Sequence, residues 1–379
     1  MPTTAPAPPP HLLWDIFCRV IDNFGDIGVC WRLCSDLAGR GHEIRLWVDD
    51  ASALTWMAPE ALEGRVPGVR VLPWSDSANA TCVAALRHAD VWVETFGCEI
   101  APEFIAAYAN SMRAEDQNDS KFPAWINLEY LSAEGFARRC HRLASPVMHG
   151  PAKGATKFFF YPGFTPDSGS LIREPNLLQR QQTFDAAGWL LAQGVPHSAG
   201  PVVSLFCYEP RALPALLRQL ADSPKPCTLL VTPGRATGAL QAALAAHPSL
   251  RGATRIHLLP HLSQTDFDHL LWASDFNFVR GEDSLVRAMW AGKPFAWHIY
   301  PQDDDAHHAK LDAFLDWMQA TPSLRDLHAA WNATRVDANL PPILQEMPGW
   351  ARLASQARDR LLEMPDLSTQ LIDFVAEKR

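Results

Sequence analysis

Several features that mark common protein classes are missing from this chain. It has no run of Lys and Arg, and its formal net charge is −9, which disfavours bulk binding to nucleic acid or to an anionic membrane. No C-x-x-C pair occurs among its eight cysteines, and no apolar stretch is long enough to span a bilayer. We therefore expect no membrane segment, and cysteines that serve as small buried side chains in a reducing compartment.

The first ten residues, MPTTAPAPPP, lack the charged and then apolar pattern of a signal peptide. We interpret residues 1–10 as a disordered tail on a cytoplasmic protein. Nothing in the pattern requires a dimer, so we expect a monomer.

Apolar, β-branched runs alternate with helix-like runs in two successive series along the chain. This alternation predicts an α/β protein with two doubly wound, Rossmann-like halves, and 379 residues with 14 tryptophans suffice for two cores. A polar stretch at 166–182 is interpreted as the connection between them. The predicted strands are 13–21, 43–48, 69–73, 91–95 and 125–129 in the first half, and 202–208, 228–232, 255–260, 276–279 and 294–299 in the second.

The stretch FCRVIDNFGDIGVCWRL places Asp22 and Asp26 in a Gly-containing turn between the first strand and a helix. A loop at the carboxyl end of a strand in an open α/β sheet opens onto the ligand crevice, so these carboxylates are well placed for chemistry. The alternative is structural: Asp26 caps a helix that begins near Ile27, and Asp22 closes an Asx-turn. The glycines here, Gly25 and Gly28, do not form a dinucleotide or phosphate-loop motif.

The stretch NFVRGEDSLVRAMWAGKPFAWHIYPQ, residues 277–302, is the richest in the second half. It predicts a buried strand, a turn carrying Arg280, Glu282 and Asp283, and a helix that opens at Ser284. Such a helix start, with Arg280 beside it, suits a diphosphate. Alternatively, the two acids complement the helix dipole and pair with Arg280.

These two stretches, together with SLFCYEP at 204–210, closely resemble the EarP family, the protein-arginine rhamnosyltransferases that modify bacterial elongation factor P. The resemblance runs from Trp14 to the C-terminal helix. It implies a GT-B glycosyltransferase with two domains facing across a cleft. It also implies inverting transfer of L-rhamnose from TDP-β-L-rhamnose to one arginine of the factor, which activates it for rescue of ribosomes stalled at polyproline.

The family resemblance also implies roles for individual residues. Asp22 and Asp26 match the catalytic carboxylates, with Asp26 as the general base, and His261 stands where an aromatic Phe is expected against the thymine. The supporting loop matches Asn23, Phe24, Gly25 and Gly28, and the donor-binding positions match Phe206, Tyr208, Gln264, Arg280, Glu282, Asp283, Ser284 and Tyr300.

No metal or other cofactor is expected, although one stretch of the sequence suggests a metal-dependent alternative. Asp303, Asp304, Asp305, His307 and His308 contain a D-x-D pattern such as metal-dependent glycosyltransferases use. We interpret this stretch instead as capping the following helix, whose apolar face consists of Leu311, Phe314, Leu315 and Met318.

The expected domain limits are 11–175 for the acceptor-binding domain and 176–361 for the nucleotide-sugar domain, with 362–379 packing back on the first. Phe158, Phe159 and Phe160 are interpreted as a buried strand or domain seam. The alternative function is a catalytically silent GT-B-like module that binds a nucleotide sugar or a protein.

Overall fold

A computed structural model describes residues 11–21, 24–115, 122–196, 199–302, 305–335 and 337–378. Within these residues, no helix combines the length and the apolar character needed to cross a bilayer. The described residues divide into two compact units. The first comprises the residues up to Tyr130, Cys140–Tyr161 and the residues from Leu367 onward, and the second comprises Leu131–Arg139 and Pro162–Asp366.

The elements alternate between strand and helix as the sequence pattern predicts. The strands are β1 Leu13–Cys18, β2 Glu43–Val48, β3 Val69–Pro73, β4 Val91–Thr95, β5 Ala124–Leu128, β6 Ala144–Pro146, β7 Thr156–Phe160, β8 Val202–Leu205, β9 Thr228–Val231, β10 Arg255–Leu258, β11 Phe276–Arg280 and β12 Phe295–His298. The helices are α1 Gly25–Gly39, α2 Leu54–Met57, α3 Pro59–Leu62, α4 Ala80–Ala84, α5 Pro102–Glu115, α6 Gly135–Cys140, α7 Leu177–Gln182, α8 Ala186–Ala192, α9 Leu213–Ala221, α10 Arg235–Ala246, α11 Gln264–Ala273, α12 Gly281–Ala291, α13 Ala306–Trp317, α14 Pro322–Trp331, α15 Ile343–Leu362 and α16 Leu367–Lys378.

Both units contain a doubly wound sheet, as predicted. The first has the strand order β3-β2-β1-β4-β5-β7-β6, and the second has the order β10-β9-β8-β11-β12. Only β6 runs antiparallel, against β7, among the described strand pairs. The order reverses between β1 and β4 in the first sheet and between β8 and β11 in the second. Ligands of such sheets bind at the carboxyl ends of the strands at this switch point.

Aromatic side chains fill the core of the first unit. The ring of Phe104 lies 5.1 Å from Phe17, 5.6 Å from Trp47 and 5.7 Å from Trp92, measured between ring centroids. The buried tryptophans therefore pack the interior, as expected. Phe158, Phe159 and Phe160, interpreted as a buried strand or domain seam, lie in β7, where Phe158 and Phe160 pack against α16.

Residues 166–182 are not the exposed polar connection that the composition predicted. Leu171 and Leu177 join the buried core of the second unit, and the Trp290 indole N–H donates to the Ile172 carbonyl at 2.7 Å. Arg287 is buried and paired with Glu174 at 2.9 Å and with Asp268 at 2.6 Å. The predicted domain limit after residue 175 therefore falls inside a segment that lies wholly in the second unit. Residues 362–366, which were predicted to pack on the first domain, also lie in the second unit.

Candidate functional site

Asp26 lies in the first turn of α1, the helix that follows β1 in the chain. The helix begins at Gly25, before the predicted start near Ile27, and Phe24 at its N-cap makes no capping hydrogen bond through its side chain. The Asp26 carboxylate instead accepts a hydrogen bond from the backbone N–H of Ile21 at 2.8 Å, and only 3% of the residue is exposed. Asp26 therefore ties the backbone at Ile21 to the first turn of α1.

The other members of the predicted pair and its loop are less completely placed. Asp22 and Asn23 lie outside the described residues, so their predicted roles stay predictions. Phe24 packs edge-on against Trp56 with 5.1 Å between the ring centroids. Gly25 and Gly28 lie in the first turn of α1, where the Gly28 N–H donates to the Phe24 carbonyl at 3.0 Å.

A buried network supports the end of β1 behind Asp26. The Thr95 hydroxyl donates to the Phe17 carbonyl at 2.7 Å, and the Cys98 thiol donates to the same oxygen at 3.2 Å. A hydrogen bond with Cys30, together with burial, raises the pKa of the Cys18 thiol well above its usual value. Cys18, Cys30 and Cys98 are buried packing groups in this arrangement, as the sequence predicted.

Glu94 is a second buried carboxylate at the carboxyl edge of the first sheet, and sequence reasoning missed it. Glu94 is in register with Phe17 of β1, pairs with Lys157 at 2.8 Å, and accepts from the Ile100 N–H at 2.9 Å. The signal was a charged residue inside an otherwise apolar strand, V-W-V-E-T. These partners indicate a structural ion pair at the switch point.

Arg280 is the centre of an arginine and aromatic cluster in the second unit. Its guanidinium carbon lies 4.6 Å from the ring centroid of Phe206 and 4.7 Å from that of Tyr208, and 8% of the residue is exposed. The predicted strand 202–208 ends at Leu205, so both aromatic residues lie in the loop after β8. They contact the same guanidinium because β8 and β11 are neighbours at the switch point.

Further side chains surround Tyr208. Tyr300, 46% exposed, lies 5.7 Å from it between ring centroids, and His298 lies 5.1 Å from it. The guanidinium carbon of Arg235, at the start of α10, is 4.7 Å from the Tyr208 centroid, and Arg235 forms an ion pair with Glu209. Sequence reasoning missed Arg235 and His298. The T-P-G-R turn after β9 was the available signal for Arg235.

The R-G-E-D-S motif differs in detail from the prediction, because α12 begins at Gly281 instead of Ser284. The Ser284 hydroxyl accepts from the Arg280 N–H at 3.0 Å and donates to the Arg280 carbonyl. Glu282 forms an ion pair with Lys310 and accepts from the Leu131 N–H at 2.8 Å. Asp283 lies in the same first turn, half-buried, and its charge acts on Arg287.

Gln264 and His261 lie where the chain leaves β10. Gln264 is the first residue of α11, and His261 is exposed in the preceding loop. Phe267 of α11 contacts Phe206 with 5.3 Å between ring centroids, which links this helix to the cluster. Phe267 was not predicted as a site residue.

The one group of metal-ligating side chains found in the described residues consists of Asp305, His307 and His308. Their ligand atoms lie within 4.8 Å of one another, and Nδ1 of His307 accepts from the Gln302 N–H at 3.1 Å. Asp303 and Asp304 lie outside the described residues. The helix that follows buries Leu311, Phe314, Leu315 and Met318, as predicted, but Asp305 at its N-cap makes no side-chain capping bond.

Comparison with solved structures defines the class of protein. Two glycosyltransferases, that of kitacinnamycin and one from Rickettsia africae, each match over 97% of this chain with TM-scores of 0.54 and 0.50. Their sequence identities are 12% and 10%, so these likenesses establish the fold alone. With two doubly wound units, the chain has the GT-B fold of such glycosyltransferases.

The particular family follows from its closer relatives. Residues 14–376 match the model of the elongation factor P (EF-P) rhamnosyltransferase EarP, and the chain belongs to that family. It is 41% identical to a protein-arginine rhamnosyltransferase of Pseudomonas aeruginosa, over 96% of this chain and 99% of the relative. One of Neisseria meningitidis is 33% identical over 97% and 98%.

A solved structure in the same family agrees with this assignment. It is described as the structural basis for EarP-mediated arginine glycosylation of translation elongation factor EF-P. It matches with a TM-score of 0.64 and 31% identity, over 97% of this chain and 100% of that one. The family resemblance drawn from the three sequence stretches is therefore confirmed.

Proposed function

We propose that this protein transfers L-rhamnose from TDP-β-L-rhamnose to a guanidino nitrogen of one arginine of EF-P, with inversion and without a metal ion. The reaction takes place in the cytoplasm, and the product activates the factor for ribosomes stalled at polyproline. Membership of the EarP family supports the acceptor and the sugar. The position of Asp26 is the observation that carries the chemistry.

An arginine is a poor nucleophile because its guanidinium keeps its proton at ordinary pH and its nitrogen lone pairs are delocalised. A carboxylate that hydrogen-bonds the guanidinium orients it and accepts a proton as the new bond forms. Asp26 suits this role, since its Ile21 hydrogen bond holds it in one geometry at the carboxyl end of β1. Asp22 is the second carboxylate of the proposed pair.

The leaving group is a diphosphate whose negative charge grows as the glycosidic bond breaks. Fixed donors at that position lower the barrier. Arg280, the first turn of α12 and the Tyr300 hydroxyl supply such donors in the second unit, while Phe206 and Tyr208 offer faces to the nucleoside. Gln264 and His261 are the proposed contacts to the thymidine. Inversion requires the arginine to attack from the sugar face opposite the diphosphate, as in inverting hydrolysis.

The experiment is intact-mass spectrometry of EF-P after incubation with the full-length protein and TDP-rhamnose in EDTA. We expect the mass of EF-P to rise by one deoxyhexose, on a single arginine, with the wild type, and not to change with Asp26→Asn. Asp36→Asn is the matched control, because Asp36 is an equally buried carboxylate on the same helix and pairs with Arg40. It should keep the activity.

Two outcomes would contradict the proposal. A product that forms only when Mn²⁺ is added would refute the metal-free mechanism and direct attention to Asp305, His307 and His308. The absence of product under either condition, from a protein shown to be folded by circular dichroism, would favour the silent binding module.

A further inference from the structure

His298 is the last residue of β12 and lies in register with Arg280 of β11. Paired residues of neighbouring parallel strands direct their side chains to the same face of the sheet, so the imidazole and the guanidinium share one face. The imidazole makes an edge contact with Tyr208 at 5.1 Å and with Trp331 at 6.1 Å, between ring centroids. Only 8% of His298 is exposed.

The backbone on both sides of His298 is held by α14. The Trp297 N–H donates to Nε2 of His328 at 3.1 Å, and the Ile299 N–H donates to the Asn332 side-chain oxygen at 2.9 Å. A side chain on such a fixed segment is preorganised, so a ligand that contacts it does not have to order it first.

The imidazole is neutral near pH 7. Burial lowers the pKa of His298 to about 3; the charge of Glu209 opposes this, and those of Arg235, Arg280 and His307 add to it. Tyr208 and Tyr300 are the other titratable groups around the cluster. A neutral imidazole carries one proton, on either Nδ1 or Nε2.

The two ring nitrogens of His298 differ in their surroundings. Nδ1 of His298 is buried with no hydrogen-bond partner in the described part of the chain, and so is the indole nitrogen of Trp331. A phosphate oxygen only accepts hydrogen bonds, so a phosphate at Nε2 selects the tautomer whose proton is on Nε2. Nε2 is not among these buried, unpartnered atoms, so it is the ring nitrogen that a ligand can reach.

We propose that His298 binds the nucleoside diphosphate of the donor by donating its Nε2–H to a phosphate oxygen. This inference rests on the proposed function, which places the diphosphate beside Arg280. A neutral donor adds a hydrogen bond to the leaving group without adding a third positive charge next to Arg235 and Arg280. His298 thus binds the anion as a dipole and does not serve as a general acid.

The test is isothermal titration of the full-length protein with TDP, using three variants at position 298. His298→Phe removes the donor, and we expect about a tenfold weaker Kd. His298→Gln places its amide nitrogen near the position of Nε2, so its Kd should stay within about threefold of the wild type. His298→Asn places its amide nearer Nδ1 and should bind as weakly as the Phe variant. Arg280→Ala is the control variant, because it removes the arginine proposed to bind the diphosphate.

Titration in two buffers of different ionisation enthalpy gives the protons taken up on binding. We expect TDP binding to take up the same number of protons in the wild type and in His298→Gln. An uptake of about one proton in the wild type that is absent from His298→Gln would overturn the neutral donor. Unchanged affinity in His298→Phe, or equal losses in the Gln and Asn variants, would overturn the contact itself.

The Gln and Asn variants decide the question even if the Phe variant does not fold. Failure of the wild type to bind TDP would count against the proposed function instead. A wild type that binds TDP, with the loss confined to Arg280→Ala, would count against His298 alone.

Discussion

Tyr208 shows at the scale of single residues how the second unit concentrates positive charge. Two guanidinium carbons lie 4.7 Å from its ring centroid, those of Arg235 and Arg280. Each cation over an aromatic face contributes on the order of 0.5–2 kcal/mol, which helps to hold both arginines in place. Glu209 meets the charge of Arg235 and in turn has its own pKa lowered by that arginine. The arrangement therefore favours an anionic ligand beside Arg280.

His328 makes the stability of the protein sensitive to acid. Its Nε2 accepts from the Trp297 N–H, so the single proton is on Nδ1, 2.9 Å from the Leu324 carbonyl. Burial lowers its pKa to about 4 in the folded chain. The unfolded chain, with a pKa of about 6.5, binds more protons between these values, so stability falls as the pH drops below about 6.5.

Because of His328, we expect the free energy of unfolding to fall by about 2 kcal/mol from pH 7 to pH 5. Urea denaturation at the two pH values measures this loss. His328→Gln keeps an acceptor and a donor but does not titrate, so its loss should be smaller by the same amount. An identical pH dependence in the variant and the wild type would rule out His328 as the cause.

At the scale of elements, α16 shows how a distant segment completes a unit. Its Phe374 is 1% exposed and lies 5.2 Å from Phe158 and 5.8 Å from Phe160, between ring centroids. The segment 362–379 was predicted to pack back on the first domain, and the helix that does so is Leu367–Lys378.

Phe374→Ala should lower the free energy of unfolding by about 3–5 kcal/mol, because it leaves a cavity against β7. Chemical denaturation followed by tryptophan fluorescence measures the change. Asp373→Ala, an exposed position on the same helix, should stay within about 0.5 kcal/mol of the wild type. Equal effects of the two substitutions would show that the aromatic contact does not hold α16.

Sequence patterns predicted the elements well and their ends less well. Strands β2, β3 and β4 have the predicted limits, because apolar runs and turn residues are local signals. The start of α12 was placed late, at Ser284, because a Gly followed by two acids is typical of a turn. In the structure the acids Glu282 and Asp283 form the first helical turn.

At the scale of the whole molecule, the two units divide the proposed roles. Asp26 belongs to the first and the Arg280 cluster to the second. A ligand that binds one unit stabilises it by an amount set by its concentration and Kd. TDP should therefore slow amide exchange in the second unit, in β8, β11 and the first turn of α12.

Hydrogen exchange with mass spectrometry measures this effect peptide by peptide. We expect no added protection in β1, β2, β4 or β5 with TDP alone, whereas peptides around β8 and β11 should be protected. Protection confined to the first unit would show that the nucleotide binds there, and the donor site would have to be reassigned.

The amino-acid sequence by itself determined the two-half fold, the family and the loop that carries Asp26, because periodicity and motifs are local properties of a chain. Only the tertiary structure placed Arg235, His298 and Phe267 beside residues from other strands, since strand order decides which loops meet. It also decided that residues 166–182 contribute to the second core and that Glu282 contacts Lys310 and Leu131. Such partners lie far apart in sequence, so no local pattern records them.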